Sequence, residues 1–244
     1  MSDCRVTYVG HATTVVELDG VRLLTDPVLR ARVAHLRRTT ASASPDQPDA
    51  VLISHGHYDH LDRPSLRQLA RKTTIVLPRG LGRVVKSLAF PDVREVVEGD
   101  EVNVGDVVVR ATHADHGSWS PGRSPASLGY AILGSMRIYF AGDTDIFEGM
   151  AGLVPDLDLA LIPIWGWGPS LGPGHLDPLR AAEALTLLRP RVAIPIHWGS
   201  LRPIHKSSRA KFLSEPAAAF SALAREHAPE TEVRVLQPGE STQI

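Results

Sequence analysis

The sequence predicts a mixed α/β fold, and three features of its pattern support this prediction. Short runs of β-branched and aliphatic residues alternate with segments of helical spacing along most of the chain. Asp19-Gly20 separates two of these runs, and this dipeptide between β-branched residues is the strongest short-range signal for a β-hairpin. Strands are followed by helices in both halves of the chain, which predicts two similar halves.

In the first half, a hairpin and a long loop should precede alternating strands and helices. The predicted strands are 6–9, 14–18, 21–25, 50–54, 74–77 and 93–97. Residues 27–48 lack periodicity and are rich in Arg, Ala, Ser and Thr, so a surface loop is expected there. Helical spacing at 64–71 and 81–88 predicts two helices, the first of which has Asp62 as its N-cap.

The second half should begin with a meander and end in helices. The predicted strands are 101–104, 107–112, 127–133, 137–141, 157–163, 192–196 and 232–236. Helices are expected at 146–153, 178–189 and 215–227, and Asp177 and Pro178 open the second of them. No Pro/Gly-rich linker divides the chain, so residues 1–244 are expected to form a single domain.

The composition narrows the class of protein. The 244 residues include 26 Lys and Arg against 27 Asp and Glu, and this balance argues against a nucleic-acid-binding protein. The single cysteine excludes an intrachain disulfide and thiolate-rich metal sites. No apolar run approaches the roughly 18 residues of a membrane span, and no signal peptide is visible, so a cytoplasmic protein is expected. The sequence leaves open whether the chain forms a homo-oligomer.

Histidine is unusually frequent, and four potential metal ligands fall within six residues. The chain has 11 histidines against five Phe, four Trp and four Tyr. His55-Gly56-His57-Tyr58-Asp59-His60 follows the predicted strand 50–54 directly. His55 and His57, two residues apart on extended backbone, project to the same side and can bind one ion. Asp59 and His60 lie beyond the bend and can reach a second ion, while the alternative is a solvated polar turn.

This motif resembles the signature of the metallo-β-lactamase superfamily, and the similarity continues along the chain. It includes Val9-Gly10-His11-Ala12-Thr13, Leu24-Thr25-Asp26-Pro27 and Ile196-His197-Trp198-Gly199. These segments resemble the branch that contains the L-ascorbate-6-phosphate lactonases and the phospholipase D enzymes that hydrolyse N-acylphosphatidylethanolamine. The resemblance implies a four-layer αβ/βα sandwich with two metal ions at one edge of the facing sheets.

The resemblance also implies two ligand sets and a bridging carboxylate. They are His55, His57 and His116 on the first metal, Asp59, His60 and His197 on the second, and Asp143 shared by both. Without the other motifs, Asp143 would be an ordinary residue of a Gly-Asp turn. Five imidazoles and two carboxylates suit zinc best, and manganese or iron also accept this set.

The function implied is hydrolysis of a small ester, lactone or phosphodiester by a hydroxide held between the two ions. Asp59 is expected to carry a proton to the leaving group. His175 should lie just outside a helix N-terminus, facing the metals, where it binds or protonates the substrate. The alternatives are a metal-binding sensor or scaffold without turnover, and a diiron redox enzyme of the same fold. Flavodiiron enzymes carry Glu where this chain has His57, which favours hydrolysis.

Further residues are expected to contact the ligands or the substrate. For each of them, an ordinary structural role is the alternative interpretation. Asp26 should orient a ligand imidazole, or else open a turn before Pro27. His11 and His113 contact a ligand or the substrate, or are ordinary hydrogen-bonded histidines. The tryptophans in these segments wall an apolar pocket or fill the core. They are Trp119, Trp165, Trp167 and Trp198. His113-Ala114-Asp115-His116-Gly117 departs from the Pro-Ala-Gln-His-Trp of the phospholipase branch, which disfavours a membrane phospholipid as substrate.

Overall fold

In a computed structural model of the chain, residues 4–40, 46–117 and 126–244 are described. Their strands form two seven-stranded sheets and one three-stranded sheet. The mixed α/β fold predicted from the sequence is confirmed. In the described ranges, every helix is too short or too polar to cross a membrane.

The first sheet combines an antiparallel and a parallel half. Its strands are β1 (Arg5–Gly10), β2 (Thr13–Leu18), β3 (Val21–Thr25), β6 (Ala50–Leu52), β7 (Thr74–Pro78), β8 (Val93–Val96) and β17 (Ser241–Gln243). Their order in the sheet is β17-β1-β2-β3-β6-β7-β8. Strands β17 to β3 pair antiparallel, whereas β3, β6, β7 and β8 pair parallel.

The second sheet follows the same plan. Its strands are β9 (Glu101–Val104), β10 (Val107–His113), β11 (Leu128–Leu133), β12 (Arg137–Phe140), β13 (Leu159–Pro163), β14 (Val192–Ile196) and β16 (Glu232–Val233). The order is β16-β14-β13-β12-β11-β10-β9, with β9 to β12 antiparallel and β12, β13, β14 and β16 parallel. The two halves predicted from the sequence are therefore present as two similar sheets.

Four helices complete the layers. They are α1 (Arg63–Leu66), α2 (Gly82–Val85), α3 (Pro178–Leu188) and α4 (Glu215–His227), with 3₁₀ turns at 86–88 and 211–213. Helices α1 and α2 pack on the outer face of the first sheet, and α3 and α4 pack on the second. Asp62 caps α1, as predicted, by accepting a hydrogen bond from the Ser65 backbone N–H, but the helix ends at Leu66 rather than at residue 71.

The apolar runs of the first sheet are continuous because both of its faces are buried. Leu23 and Leu52 face the core between the two sheets. Their neighbours Leu24 and Val51 face the second core, beneath α1 and α2. Strands of this kind place the chain's polar groups at their ends rather than along their faces.

Two predictions about local structure are wrong. Residues 146–153 form turns instead of a helix, because Gly149 and Gly152 adopt φ values of 89° and 76°, in the left-handed region. The expected surface loop at 27–48 contains two short strands, β4 (Arg32–Val33) and β5 (Leu36–Arg38). Strand β5 pairs with β15 (Leu201–Pro203) to form the three-stranded sheet. No local pattern reveals strands of two or three residues that pair across such a sequence distance.

One buried hydrogen bond joins the second sheet to the loop that follows β6. The Tyr130 hydroxyl on β11 donates to the Ile53 carbonyl at 2.7 Å. We expect Tyr130→Phe to lower the free energy of unfolding by about 1–3 kcal/mol, because it leaves a buried carbonyl without this donor. Denaturant titration in the presence of a chelator measures the change.

The matched control is Tyr58→Phe, since the side chain of Tyr58 is 37% exposed. It should alter stability by no more than about 0.5 kcal/mol. Equal losses in both variants would show that the bond to Ile53 contributes nothing specific.

Candidate metal centre

The candidate site lies at the edge where parallel strands of both sheets end. Asp26 follows β3, His55 follows β6, Asp143 follows β12 and His197 follows β14. Parallel strands present their carboxyl ends at one edge of a sheet, so the loops that leave them meet there. The two sheets bring these edges together, and side chains that are far apart in sequence become neighbours.

The first group consists of three imidazoles. His55 Nε2 lies 2.9 Å from His57 Nδ1, and His116 Nε2 lies 3.3 Å from the same atom. One ring nitrogen of each residue therefore points to a common position. This is the set that the resemblance implies for the first metal.

The second group contains Asp59, His60 and His197, with His11 beside them. The Nε2 atoms of His60 and His197 are 3.1 Å apart. Asp59 Oδ2 lies 3.7 Å from the first of these atoms and 4.0 Å from the second. His11 Nε2 approaches Asp59 Oδ2 to 3.0 Å.

Asp143 stands between the two groups. Its Oδ2 lies 3.9 Å from His55 Nε2 in the first group and 3.1 Å from His60 Nε2 in the second. Its Oδ1 lies 3.1 Å from His197 Nε2, yet among the described residues this buried oxygen accepts no well-aligned hydrogen bond. Asp143 therefore has a carboxylate oxygen within 3.9 Å of a ring nitrogen in each group.

In four of the proposed ligand histidines, His55, His60, His116 and His197, the ring nitrogen that faces away from the groups has a polar partner. His116 Nδ1 lies 2.7 Å from the Gly174 carbonyl oxygen, and His197 Nδ1 lies 2.6 Å from that of Trp165. A backbone carbonyl can only accept, so each Nδ1 carries the proton and each Nε2 presents a lone pair to the group. In metal-binding histidines generally, the hydrogen bond made by the ring nitrogen that does not bind the metal fixes the orientation of the ring.

Asp26 links the motif to the neighbouring strand. Its fully buried carboxylate accepts hydrogen bonds from the Ser54 backbone N–H at 2.7 Å and from the Ser54 hydroxyl at 2.5 Å. His60 Nδ1 lies 2.7 Å from Asp26 Oδ2, and His55 Nδ1 lies 3.0 Å from Ser54 Oγ. The structure thus places Asp26 against an imidazole, as one of its two sequence interpretations expects.

Three residues at this edge have a left-handed backbone conformation. His11, Asp26 and His197 adopt φ values of 60°, 32° and 62°, a region that non-glycine residues seldom occupy. Residues held in this region cost free energy and cluster at functional sites. The backbone at these three positions is therefore held in a costly conformation by the surrounding structure.

The charge balance around His60 calls for a cation. Burial by itself lowers the pKa of His60, but the carboxylates of Asp143, Asp59 and Asp26 raise this pKa well above its usual value. Three carboxylates around one ring attract positive charge to this point, as a proton or as a metal ion.

The remaining buried groups take the protonation states of metal ligands. Burial lowers the pKa of His55 and of His197 well below the usual value, so both rings are neutral. Burial alone would raise the pKa of Asp143, but His197 and His60 hold it well below its usual range. Neutral imidazoles and ionised carboxylates are the forms that bind metals.

The residues of this cluster fit the binding of metal ions. Ring nitrogens of different histidines converge in these groups, and a metal ion between them would accept their lone pairs. The buried Asp143 Oδ1 is free to coordinate. The donor set of imidazole and carboxylate, with polar partners behind it, matches zinc, manganese or iron.

His175 lies beside the cluster on the wall of a cavity of about 320 Å³. Its Nε2 is 3.4 Å from Asp143 Oδ2, and its ring centroid is 4.7 Å from that of His116. Burial by itself lowers the pKa of His175, but the contact with Asp143 raises it above the usual value. The predicted orientation of His175 toward the ligands is thus present, and its distance would also allow it to bind a metal.

The two histidines whose role the sequence left open have different positions in the structure: His11 lies at the cluster and His113 lies away from it. His11 is buried, and it contacts Asp59 and packs against His197 with ring centroids 3.9 Å apart. His113 does not reach the cluster. Its side chain is half-exposed, and its Nδ1 lies 3.2 Å from a Glu98 carboxylate oxygen, so the simpler interpretation of a polar strand-end histidine fits it.

The described tryptophans have different positions relative to the cavity. Trp167 lines the cavity, as expected. Trp165 packs against the main core and contributes through its carbonyl, whereas its ring is absent from the described lining of the cavity. Trp198 is buried and stacks on Tyr8, so it fills the core. Trp119 lies outside the described residues.

Several contributing groups were missed from the sequence. Ser54 was detectable, because it directly precedes the motif and carries a hydroxyl at a strand end. Tyr58, inside the motif, lines the cavity but is no metal ligand. Gly174 carried no signal, since it acts through its carbonyl and through a close approach in which an added Cβ would lie 2.6 Å from the Gly117 nitrogen.

Comparison with known proteins identifies the family of the chain. A family model described as "Beta-lactamase superfamily domain" matches residues 21–198. A "UPF0173 metal-dependent hydrolase" of Methanopyrus kandleri is 32% identical, and the match covers 97% of this chain and 98% of that protein. The chain therefore belongs to the β-lactamase superfamily and, within it, to the UPF0173 family of metal-dependent hydrolases.

Solved structures agree on the fold. Igni18, a metallo hydrolase from the archaeon Ignicoccus hospitalis, superimposes with a TM-score of 0.75 at 24% identity over 99% of this chain and 98% of its own. CmlA, a diiron β-hydroxylase from Streptomyces venezuelae, gives a TM-score of 0.76 at 18% identity over 100% of this chain and 54% of its own. At these identities the likeness concerns the fold alone.

The link from Asp26 to His60 provides a test of the site. We expect Asp26→Asn to weaken zinc binding by roughly 10–100-fold, because the ring of His60 loses the carboxylate that orients it. Competition with a chromophoric chelator measures the affinity.

Asp158→Asn serves as the control. Asp158 lies just before β13, at the end opposite the cluster, where its carboxylate accepts a hydrogen bond from the Arg137 backbone N–H. An equal loss of affinity in both variants would contradict the orienting role of Asp26.

Proposed function

We propose that the chain is a hydrolase that holds two divalent metal ions, zinc in the first place, and cleaves a small ester, lactone or phosphodiester. The ligands are the two groups described above, with Asp143 shared between them. The predicted branch of lactonases and phospholipases rests on sequence motifs alone and stays a prediction. So do the single domain, the cytoplasmic location and the lack of a nucleic-acid partner.

One observation supports the proposal most strongly. Among the overlapping groups of donors in the described residues, the set His55, His57 and His116 shares no member with the set Asp59, His60 and His197. The carboxylate of Asp143 lies within 3.9 Å of a ring nitrogen in each set. A single metal ion would need only one of these groups. Six or seven inward-facing donors with ordered partners behind them favour a dinuclear centre.

When bound, the ions supply Lewis-acid activation of water and of the scissile group. Asp59 is suited to accept a proton from the attacking water, since its carboxylate lines the cavity. His11 Nε2, 3.0 Å from Asp59 Oδ2, holds this carboxylate in place. Burial by itself raises the pKa of Asp59, but the neighbouring His60, His11 and His197 lower it below the usual range, so the group is ionised and able to accept.

His175 is suited to donate a proton to the leaving oxygen or to bind the substrate. Its ring stands on the cavity wall, partly exposed, with Nε2 toward Asp143. The Gly172 and Pro173 carbonyls lie 3.2 and 3.1 Å from Nδ1, so they favour a proton there. A proton leaving Nε2 toward the alcohol or phenol product would complete the hydrolysis that the water began.

The substrate class follows from the size of the cavity. About 320 Å³ is near the lower end of volumes found for small-molecule sites. The proposal therefore specifies a small molecule rather than a polymer.

Metal content and activity test the proposed function together. Purified protein should contain about two metal ions per chain, lose hydrolysis of chromogenic esters, lactones or phosphodiesters when treated with a chelator, and regain it with zinc or manganese. Elemental analysis and absorbance assays provide the measurements. Protein that binds metals but hydrolyses nothing in this panel would favour the sensor or scaffold. Activity that survives complete metal removal would exclude the proposal.

His175→Gln tests the proton donor. We expect kcat to fall by roughly 10²–10⁴-fold with the metal content unchanged, because the leaving oxygen loses its acid. His113→Gln is the matched control, since His113 is a half-exposed histidine away from the cluster, and it should leave kcat unchanged. Loss of metal from the His175 variant would instead assign His175 to the ligands.

A further inference from the structure

Three aromatic side chains stand together beside the metal centre, and we call them the aromatic lip: His35, Tyr58 and Trp167. The His35 ring centroid lies 5.7 Å from that of Tyr58 and 5.1 Å from that of Trp167. Tyr58 and Trp167 line the same cavity as His175 and Asp143. The lip therefore borders the position at which a substrate would react.

The lip is assembled from three separate parts of the chain and is held firmly. Tyr58 belongs to the ligand motif, Trp167 follows β13, and His35 lies in the turn between β4 and β5. Trp167 also packs against a small apolar cluster that supports it from behind. The members of that cluster are Val28, Val33, Leu36 and Leu201. A supported ring loses little entropy on binding and is a good surface for stacking.

The lip is also the most exposed apolar part of the site. Tyr58 is 37% exposed and Ile204 is 48% exposed, and these are two of the three large exposed hydrophobic residues in the described part of the chain. Ile204 lies beside the lip, because its backbone N–H donates to the His35 carbonyl at 3.0 Å. Exposed apolar surface grouped around a cavity indicates a binding surface rather than packing.

The arginine side chains of the small sheet are directed away from the lip. Among the described residues, no Lys or Arg lines the cavity. Arg32, Arg37 and Arg202 are paired across the strands of the small sheet and share one face. Trp167 packs against the opposite face of this sheet, so the three guanidinium groups are directed away from the lip. In the described ranges, no guanidinium or ammonium group therefore lies at the lip to pair with a phosphate or carboxylate on the substrate.

We propose that the aromatic lip selects substrates that carry an uncharged apolar group, a flat ring or a short alkyl chain, next to the scissile bond. This inference rests on the proposed hydrolase function and narrows its substrate class to neutral carboxylic esters and lactones. Stacking and burial of such a group against two supported rings should strengthen transition-state binding on the order of tenfold. A free anionic group of the same size gains nothing and loses hydration.

The test compares esters that share one leaving group, hydrolysed by the metal-loaded full chain. The substrates are 4-nitrophenyl acetate, pentanoate, phenylacetate and hemisuccinate, of which the last carries a free carboxylate. We expect kcat/KM for pentanoate and phenylacetate to exceed that for hemisuccinate by roughly tenfold. Tyr58→Ala and Trp167→Ala should reduce this preference to about twofold, mainly by raising KM for the apolar esters.

Two controls keep the result interpretable. Leu179→Ala removes another exposed apolar side chain, on α3 and outside the lip, and should preserve the preference. Trp167→Leu retains apolar packing against the small cluster in case Trp167→Ala fails to fold, and it should still lose the preference for the phenylacetate ring. Metal content is measured for every variant, since Tyr58 stands between two ligands.

The outcomes separate the two proposals. Hydrolysis of all four esters with equal kcat/KM, or a preference for hemisuccinate, would overturn the lip while leaving the hydrolase function intact. A preference for apolar esters that survives both lip substitutions would also overturn it. Failure of metal-loaded protein to cleave any ester would overturn the proposed ester hydrolysis and the lip with it.

Discussion

The buried carboxylate of Asp26 is the constraint on which the centre depends. It follows β3, whereas Ser54 and His60 belong to the segment that follows the adjacent parallel strand β6. By accepting from both, Asp26 ties the start and the end of the ligand motif to one point of the sheet. Burial raises the pKa of Asp26, and His60 and Ser54 oppose this rise. The ionisation of Asp26 therefore depends on its hydrogen bonds to Ser54 and on the charge of the His60 ring that it orients.

The rest of the centre is an unfavourable arrangement that the fold imposes. Imidazole lone pairs and ionised carboxylates face one another at about 3–4 Å in a buried space. Such groups repel or stay unpaired unless a cation lies among them. They remain in place because their backbones are fixed by strand ends of two sheets that share a large core. Even the strained backbone at His11 and His197 is retained, since the His197 backbone N–H donates to the His11 carbonyl at 2.7 Å.

The sequence predicts the parts of this arrangement that are local. The central strands could be located because both of their faces are buried, and this produces unbroken apolar runs. The motif from His55 to His60 was visible because four ligands crowd into six residues. His116 and His197 were reached only through the family resemblance, because each is a single histidine whose partners lie far away in sequence. The carbonyls of Trp165 and Gly174 were beyond prediction, since any residue offers a carbonyl and only the folded chain decides its direction.

The small sheet, which the sequence did not reveal, lies apart from the strand ends that carry the candidate ligands. The ligands sit on strand ends of the large sheets, whereas His35 and the apolar cluster behind Trp167 belong to β4, β5, β15 and the loops around them. Substitutions in these short segments can change the lip without moving a ligand. The likeness to a diiron β-hydroxylase at 18% identity shows that this sandwich alone does not determine the reaction. Under the two proposals, reaction type would follow from the candidate ligands, including the imidazole of His57, and substrate choice from the lip beside them.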